Sequence, residues 1–197
     1  MKKTFLLIFA AAALMLAGAN ASAQVSFGAG PTTRLYFEKG KQVNYTYGVQ
    51  VNFEDSKRLT DVFGYSAGID FGTYGKKDYF PEGAGLNEMY VDLPVRAKFY
   101  VPISGNTELF LFGGVVPSMC VSSVKKPGSD RIDRFYKYTN EEGYFRYDVL
   151  AGGGIGIELN ESYRFTLGYD QGLLDRIRTE SVLHVAAVKF TFSFLFY

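Results

Sequence analysis

The chain has 197 residues, with 21 Lys and Arg against 20 Asp and Glu. This length suits one domain, and the near balance of charge gives no field that would attract nucleic acid. Tyr contributes 15 residues, Phe 18 and Gly 22, while Trp is absent. Such a composition, with little helical periodicity, predicts an all-β protein. The single cysteine, Cys120, excludes an internal disulfide framework.

Residues 1–23 have the pattern of a secretory signal peptide. Lys2 and Lys3 give a positive start, an apolar run follows from Phe5 to Leu16, and Ala-Ser-Ala ends the segment. The apolar run is too short to be a good spanning helix. We therefore expect export, cleavage after residue 23, and a single mature domain over residues 24–197.

The segment from Val43 to Phe53 alternates strictly, with apolar or aromatic residues at odd positions and polar residues or Gly at even positions. Because side chains on a β-strand point alternately to opposite faces, such a strand has one apolar and one polar face. The same alternation, with lapses, predicts eight strands at about 25–37, 43–54, 62–74, 88–101, 108–122, 144–158, 163–171 and 182–197.

The lengths of the predicted strands and loops indicate a membrane barrel. Strands of globular proteins usually have about five or six residues, whereas a tilted transmembrane strand needs roughly nine to eleven. Long loops are expected at Gly75–Asn87, Ser123–Gly143 and Gly172–Ser181, and short turns lie between them. Outer-membrane barrels show this alternation, with the short turns in the periplasm. The sequence therefore predicts an eight-stranded antiparallel up-and-down transmembrane β-barrel located in the outer membrane.

The fourth predicted strand decides which face meets lipid. Its odd positions from Met89 to Val101 are apolar, whereas Arg96 and Lys98 lie on the opposite face. A Lys or Arg that faces lipid near the midplane costs about 2–4 kcal/mol. We therefore expect the charged face to point into the barrel.

Applied to all strands, this frame predicts charges of both signs inside the barrel. The interior of an eight-stranded barrel is just wide enough for side chains to fill, and an unpaired charge there is costly. We expect a plug of ion pairs and hydrogen bonds; the alternative is a proton or ion path through the same charges. The predicted inward set is Arg34, Gln50, Glu54, Asp70, Glu88, Asp92, Arg96, Lys98, Arg146, Asp148, Arg164, Asp170 and Lys189.

A soluble lipocalin-like carrier of a lipophilic ligand is an alternative that inverts the two faces. Its apolar side chains would line a cavity, and its charges would face water. The aromatic face of the last strand, from Phe190 to Phe196, disfavours this interpretation, as does the absence of Trp near the first strand.

A lipid-modifying barrel enzyme is the other alternative. His184 is the only histidine, and Val182 and Ala186, rather than a serine, lie two positions away on the same face. One His and one Cys in different strands also lack the ligand spacing of a zinc site. We therefore expect a non-enzymatic protein without a cofactor or metal.

The loop after the fifth predicted strand, Val124–Gly143, is called here the fifth loop; it is basic and aromatic, and loops are where specific binding is most often located. It is either a solvated outer loop or a contact surface for lipopolysaccharide phosphates, a glycan or another envelope protein. The candidate contact residues are Lys125, Lys126, Arg131, Arg134, Tyr136, Lys137 and Tyr138.

Further partners are expected from the barrel itself. Outer-membrane lipid would surround the apolar wall, and the barrel-assembly machinery would read the C-terminal strand, which ends on the aromatic Tyr197. The apolar frame of that strand is even-numbered and ends at Phe196, so a shifted frame or a bulge near 182–189 is expected.

Three segments resemble the PorT-like outer-membrane β-barrel family of Bacteroidetes-type bacteria. They are Tyr90–Tyr100, with Leu-Pro-Val-Arg-Ala-Lys-Phe at its centre, the Leu-Phe-Gly-Gly segment 111–114, and the glycine-rich segment 151–156. The resemblance extends over the mature chain and implies a small exported barrel. One branch of that family is implicated in a secretion apparatus, so service to such a system is a further expectation. Because proline cannot donate to a ladder and normally lies at an edge or a bulge, we also expect the strands to break or bulge near Pro94, Pro31 and Pro117.

Overall fold

A computed structural model describes residues 23–128, 130–135, 143–177 and 182–196. Residues 1–22 of the expected signal peptide lie outside the described residues. The same is true of Tyr136, Lys137 and Tyr138 of the fifth loop and of the C-terminal Tyr197.

The described residues form one antiparallel sheet whose strands close into a ring. β4 and β5 are successive halves of one long strand, and the two-residue β7 pairs with β6 beyond the ring, so eight positions make up the barrel. The predicted eight-stranded barrel fold is confirmed. Within the described ranges, no helix is long and apolar enough to cross a bilayer. The strands are β1 (Ala23–Glu38), β2 (Lys41–Arg58), β3 (Phe63–Lys76), β4 (Gly85–Asp92), β5 (Val95–Ser104), β6 (Thr107–Lys126), β7 (Ile132–Asp133), β8 (Tyr147–Leu159), β9 (Tyr163–Gly172) and β10 (Leu183–Phe196).

The first and last strands close the ring. β1 pairs with β10 from Val25 opposite Phe196 to Glu38 opposite Leu183. Closure gives the ladder groups of both strands a partner, which an open sheet edge in lipid would lack.

The two ends of the barrel differ. At one end, called here the turn end, short connections at 59–62, 105–106 and 160–162 join the strands. At the other, the loop end, a tight turn at 39–40 is accompanied by the longer connections 77–84, 127–146 and 173–182. This asymmetry follows the one that the sequence predicts.

The wall of the barrel is apolar and its interior is polar. Most odd positions of β1–β6, β8 and β9 face outward, and residues such as Phe27, Val49 and Leu111 are exposed there. Beyond the extra residue of β6 the parity reverses, and Ser123 faces inward. In β10 the even positions face outward, as Phe190 and Phe194 show. The pairing of β10 with β1 and β9 has no register shift, so the change of frame arises in the 173–182 connection and not from a bulge.

The three prolines affect the strands differently. Pro94 lies in the gap between β4 and β5, yet the register against β6 is the same on both sides of that gap. Leu93 N donates to Pro117 O across it at 2.8 Å. Strands β1 and β6 continue through Pro31 and Pro117, but the ladder between β1 and β10 skips Gly30 and Pro31 without a change of register. The register shift in this region is instead between Met89 and Tyr90, where β6 contributes one extra residue.

The glycine-rich part of β8 allows close packing against its neighbour. A Cβ atom on Gly152 would lie 2.0 Å from the Tyr169 carbonyl oxygen, and one on Gly154 would lie 2.1 Å from that of Leu167. Side chains at these positions would push β8 away from β9. The run therefore has a packing role, as its position inside a strand suggests.

Candidate functional site: the charged interior and its cap

Nearest the turn end, one carboxylate joins two cations from opposite parts of the ring. Glu54 on β2 accepts from Lys98 Nζ and from Arg164 Nη1, each at 2.6 Å. Arg164 also donates to Glu158 at 2.9 Å, and Glu158 accepts from Arg58 at 3.3 Å. This set, called here the turn-end layer, crosses the lumen with alternating charges.

A second set, the central layer, is built around Asp92 at the end of β4. Its carboxylate accepts from Arg34 at 2.7 and 3.0 Å, from Lys189 at 2.8 Å and from the Ser118 hydroxyl at 2.6 Å. Lys189 also donates to Asp70 at 2.8 Å. Asp92 is 2% exposed, so these charges neutralise one another away from bulk solvent.

A polar cavity of about 60 Å³ lies between these two layers. Arg96 donates to Asp170 at 2.7 Å beside it. The cavity is also bordered by Gln50 Oε1, Asn52 Oδ1, Arg96 Nη1 and Asp170 Oδ1, none of which has a hydrogen-bond partner among the described protein atoms. At ~15 Å³ per molecule, this volume has room for about four waters. The cavity is far too small for a solute.

At the loop end, the barrel is covered by a cap centred on Glu88. This carboxylate accepts from the Tyr36 hydroxyl, from Tyr90 at 3.0 Å and from Ser123 at 2.8 Å. Arg134, from the long connection after β6, completes the set at 3.2 Å. Glu88 is 1% exposed, so the fifth loop reaches back to a buried charge of the barrel.

A second loop residue, Arg176, enters the cap from the connection after β9. Its side chain is fully buried, with Nη1 3.9 Å from Asp148 Oδ2 and the guanidinium 4.7 Å from the Tyr144 ring centroid. The Tyr144 hydroxyl is 3.1 Å from that of Tyr90, and burial raises the pKa of Tyr144 to about 12. Ile177 packs into the same aromatic cluster. Described residues of the connections after β6 and β9 therefore fill the mouth of the barrel.

The structure places most of the predicted inward residues inside the barrel. Glu54 is half-buried at the turn end; the buried members are Arg34, Gln50, Asp70, Glu88, Asp92, Arg96, Lys98, Asp148, Arg164, Asp170 and Lys189. Arg146 differs from the prediction. Because β8 begins at Tyr147 and not at 144, Arg146 lies in the connection, and its side chain is exposed over the Phe135 ring at 4.2 Å.

The predicted loop contacts separate into different environments. Lys125 is paired with Glu82, and this hydrogen bond lowers the pKa of the Glu82 carboxyl. Arg134 is turned inward to Glu88, 4.1 Å from the Tyr144 ring centroid. Lys126 is half-buried beside Asn87 on the outer wall, and Arg131 is exposed.

Several interior residues were not in the predicted set. Glu158 lies at an even position of β8 and thus had the same frame signal as Asp148. Tyr36 and Tyr90 lie at even positions as well, but the frame alone does not mark a Tyr as a hydrogen-bonding group, and Arg176 and Tyr144 lie in connections that have no frame. A loop position does not show which way its side chain turns, and a Tyr fits either face of a strand.

His184 has surroundings unlike those of a catalytic base. It lies opposite Phe37 in the β1–β10 ladder, and its Nδ1 has no hydrogen-bond partner among the described atoms. A general base must be within hydrogen-bond reach of the proton it removes, and is commonly oriented by a further group. Among the described residues, no group of three or more His, Cys, Asp or Glu side chains is arranged to hold a metal ion.

Comparisons with known proteins support the fold. No model of a known family matches the sequence, and no curated protein sequence matches it. Among solved structures, the chain is similar to Ail, the attachment invasion locus protein of Yersinia pestis, solved in complex with the heparin analogue sucrose octasulfate. Identity is 12%, the match covers 88% of this chain and 99% of Ail, and the TM-score is 0.53. Neisserial surface protein A is similar at 10% identity, with 90% and 100% coverage and a TM-score of 0.53. At such identities the likeness concerns the fold alone.

Proposed function

We propose that the chain is a non-enzymatic outer-membrane barrel with a closed interior, which serves envelope structure and interaction at the outer surface. The observation that carries this proposal is the stack of charge layers across the lumen, closed at the loop end by the cap. A solute would have to break several buried ion pairs to pass, and each broken pair costs about 3–5 kcal/mol.

The distribution of side chains supports placement in a membrane. The wall exposes large apolar residues around the ring, whereas the charges point inward. A lipocalin-like carrier needs the opposite arrangement. With the short turns in the periplasm, as in known outer-membrane barrels, the loop end faces the outside. Both described chain ends then lie on the periplasmic side, which suits recognition of β10 by the barrel-assembly machinery.

The outer rim supports the surface-interaction part of the proposal. Among the described residues, the exposed side chains around the loop end include the cations Lys39, Lys41, Arg131 and Arg146 and the carboxylates Asp78, Glu82, Asp130 and Asp133. Where cations are adjacent, as at Lys39 and Lys41, the rim attracts an anionic partner, and the attraction is weakened by salt. A sulfated or phosphorylated glycan is the chemistry that we assign to it. Ail, which shares this fold, was solved with a sulfated sugar.

The two parts can be tested with the purified full chain. In planar bilayers we expect no stable single-channel conductance, and regular channels would contradict the closed interior. On immobilised heparin we expect salt-sensitive retention that falls at least fivefold in a Lys39→Gln/Lys41→Gln/Arg131→Gln variant. Equal retention of this variant would contradict the rim proposal.

Two finer assignments belong to the proposal as well. The first is membership of the PorT-like family with service to a secretion apparatus, and it rests on the segments 90–100, 111–114 and 151–156. It predicts that an envelope protein co-purifies with the chain. The lipid-modifying alternative predicts turnover of lipid A or phospholipid by purified protein. The isolated His184 is our reason for expecting none.

A further inference from the structure

A groove crosses the outer wall close to the loop end, where a glycine leaves a gap between two side chains. Gly75 on β3 lies opposite Tyr47 on β2 and opposite Asn87 on β4. Tyr47 is 58% exposed and Asn87 is also exposed, so the missing side chain at Gly75 forms a notch between them. The groove has a volume of about 670 Å³.

Three lysines border the groove on the side away from the membrane centre. Lys76 Nζ lies 2.6 Å from Asn44 Oδ1 and 4.0 Å from the Tyr45 ring centroid, which places its ammonium group outside the barrel. Lys77 is exposed in the following turn, and Lys126 approaches from the end of β6. Unlike Lys125, none of the three has a carboxylate within 4.0 Å among the described residues.

The opposite side of the groove continues into the apolar wall. Val49, Thr73 and Met89 lie side by side, one outward-facing row nearer the membrane centre than the notch. Val49 is 61% exposed and Met89 53%. Two residues along a strand span about 7 Å, so cations and apolar surface follow one another within the reach of one amphipathic molecule.

We propose that this groove binds a phosphorylated lipid of the outer leaflet. The phosphate contacts Lys76, Lys77 and Lys126, and an acyl chain lies along Val49, Thr73 and Met89. Charge-assisted contacts to phosphate oxygens account for the cationic side. The apolar row favours a lipid over a soluble glycan, which has no chain to place there. Asp78 also borders the groove, and its charge offsets part of the attraction of the lysines for phosphate.

This inference depends on the outer-membrane placement proposed above but not on the rim that we assign to glycans. Lysine neutralisation and notch filling test it separately. Lys77→Gln/Lys126→Gln removes two phosphate contacts, and Gly75→Leu fills the notch without a change of charge. A Cβ atom on Gly75 would approach the Asn87 side chain at 3.0 Å and no backbone atom closer than 3.6 Å, so the barrel tolerates it.

Matched controls exist for both changes. Lys39→Gln/Lys41→Gln removes the same charge at the β1–β2 turn, outside the groove. Gly113→Leu adds the same side chain on the outward face of β6, where a Cβ atom meets only the Gly152 carbonyl oxygen, at 3.5 Å. Heat-modified mobility on gels verifies that each variant is folded.

The measurement is native mass spectrometry of the full mature chain in detergent micelles with bis-phosphorylated lipid A. We expect one retained lipid on the parent and at least a tenfold weaker affinity for both groove variants, with both controls unchanged. Dephosphorylated lipid A should bind at least tenfold more weakly to the parent. Equal binding of the two lipids, or an equal loss in the controls, would overturn the proposal.

Full competition by inorganic phosphate at millimolar concentration would also overturn it, because this result would show a site for the free anion. If the parent protein binds lipid A but is not retained on heparin, only the rim proposal is refuted.

Discussion

Neutralising Asp92 is the sharpest test of the charged interior. Asp92→Asn keeps the shape of the side chain but leaves the buried Arg34 without its carboxylate partner, at 1% exposure. Lys189 keeps its second partner, Asp70, at 2.8 Å. Arg34 is then a buried cation without a carboxylate partner. Removing one member of a buried pair costs about 3–5 kcal/mol, and we expect the free energy of unfolding to fall by this amount.

A double-mutant cycle tests whether this loss of unfolding free energy comes from the Arg34–Asp92 pair. Arg34→Met removes the stranded cation while keeping a side chain of similar length. We expect Arg34→Met/Asp92→Asn to be less damaging than the sum of the single changes, with a coupling energy of about 2–3 kcal/mol. Asp61→Asn, in an exposed turn, is the matched control and should stay within about 0.5 kcal/mol of the parent.

The assay is urea unfolding in lipid vesicles, followed by far-ultraviolet circular dichroism because the chain contains no Trp. The reasoning would be refuted if the Asp92→Asn variant unfolded at the same urea concentration as the Asp61→Asn control. Strict additivity of the two single changes would refute it as well, since it would mean that Arg34 and Asp92 do not depend on each other.

Three further predictions concern packing and the cap. Gly152→Ala should prevent folding, seen as loss of heat-modified mobility, because its Cβ would meet the Tyr169 carbonyl oxygen at 2.0 Å, whereas Gly113→Ala should fold; a folded Gly152→Ala barrel would contradict the close approach of β8 and β9. Arg134→Gln should accelerate proteolysis of the fifth loop severalfold without opening the barrel, since it removes the contact to Glu88; an unchanged cleavage rate would argue against the tether. The unfolding free energy should fall as pH rises from about 10 to about 12, because a raised pKa favours protonated Tyr144 in the folded chain, and Tyr144→Phe should flatten this slope; an identical slope in both proteins would contradict it.

The barrel architecture could be predicted because period-two alternation and the cost of charge in lipid act on every strand in the same way. Arg96 and Lys98 alone decide the orientation of one strand, and antiparallel neighbours then share its frame. The pairing register of the strands was harder to predict. The extra β6 residue opposite the Met89–Tyr90 step leaves no mark in the apolar pattern, and the parity of β10 depends on the length of a loop.

The interior network was predictable as a set of residues but not as a set of pairs. Strand frames place Glu54 and Arg164 in the lumen, yet they are 110 positions apart and meet only because the ring brings β2 and β9 together. The cap could not be predicted from the sequence. Arg134 and Arg176 lie in connections, where no periodicity fixes the direction of a side chain, and Arg146 shows the same limitation at a strand boundary.

The pairing of β1 with β10 has a consequence for the order of assembly. The strand that begins at Ala23 has no partner on one side until the strand that ends at Phe196 has been synthesised and aligned with it. A pairing between strands far apart in sequence loses loop-closure entropy before its contacts form. We therefore expect closure of the ring to be late and slow. Until then, two long apolar strands are open to association with other chains. An unfinished molecule therefore depends on whatever shields those two strands from other chains until they pair with each other.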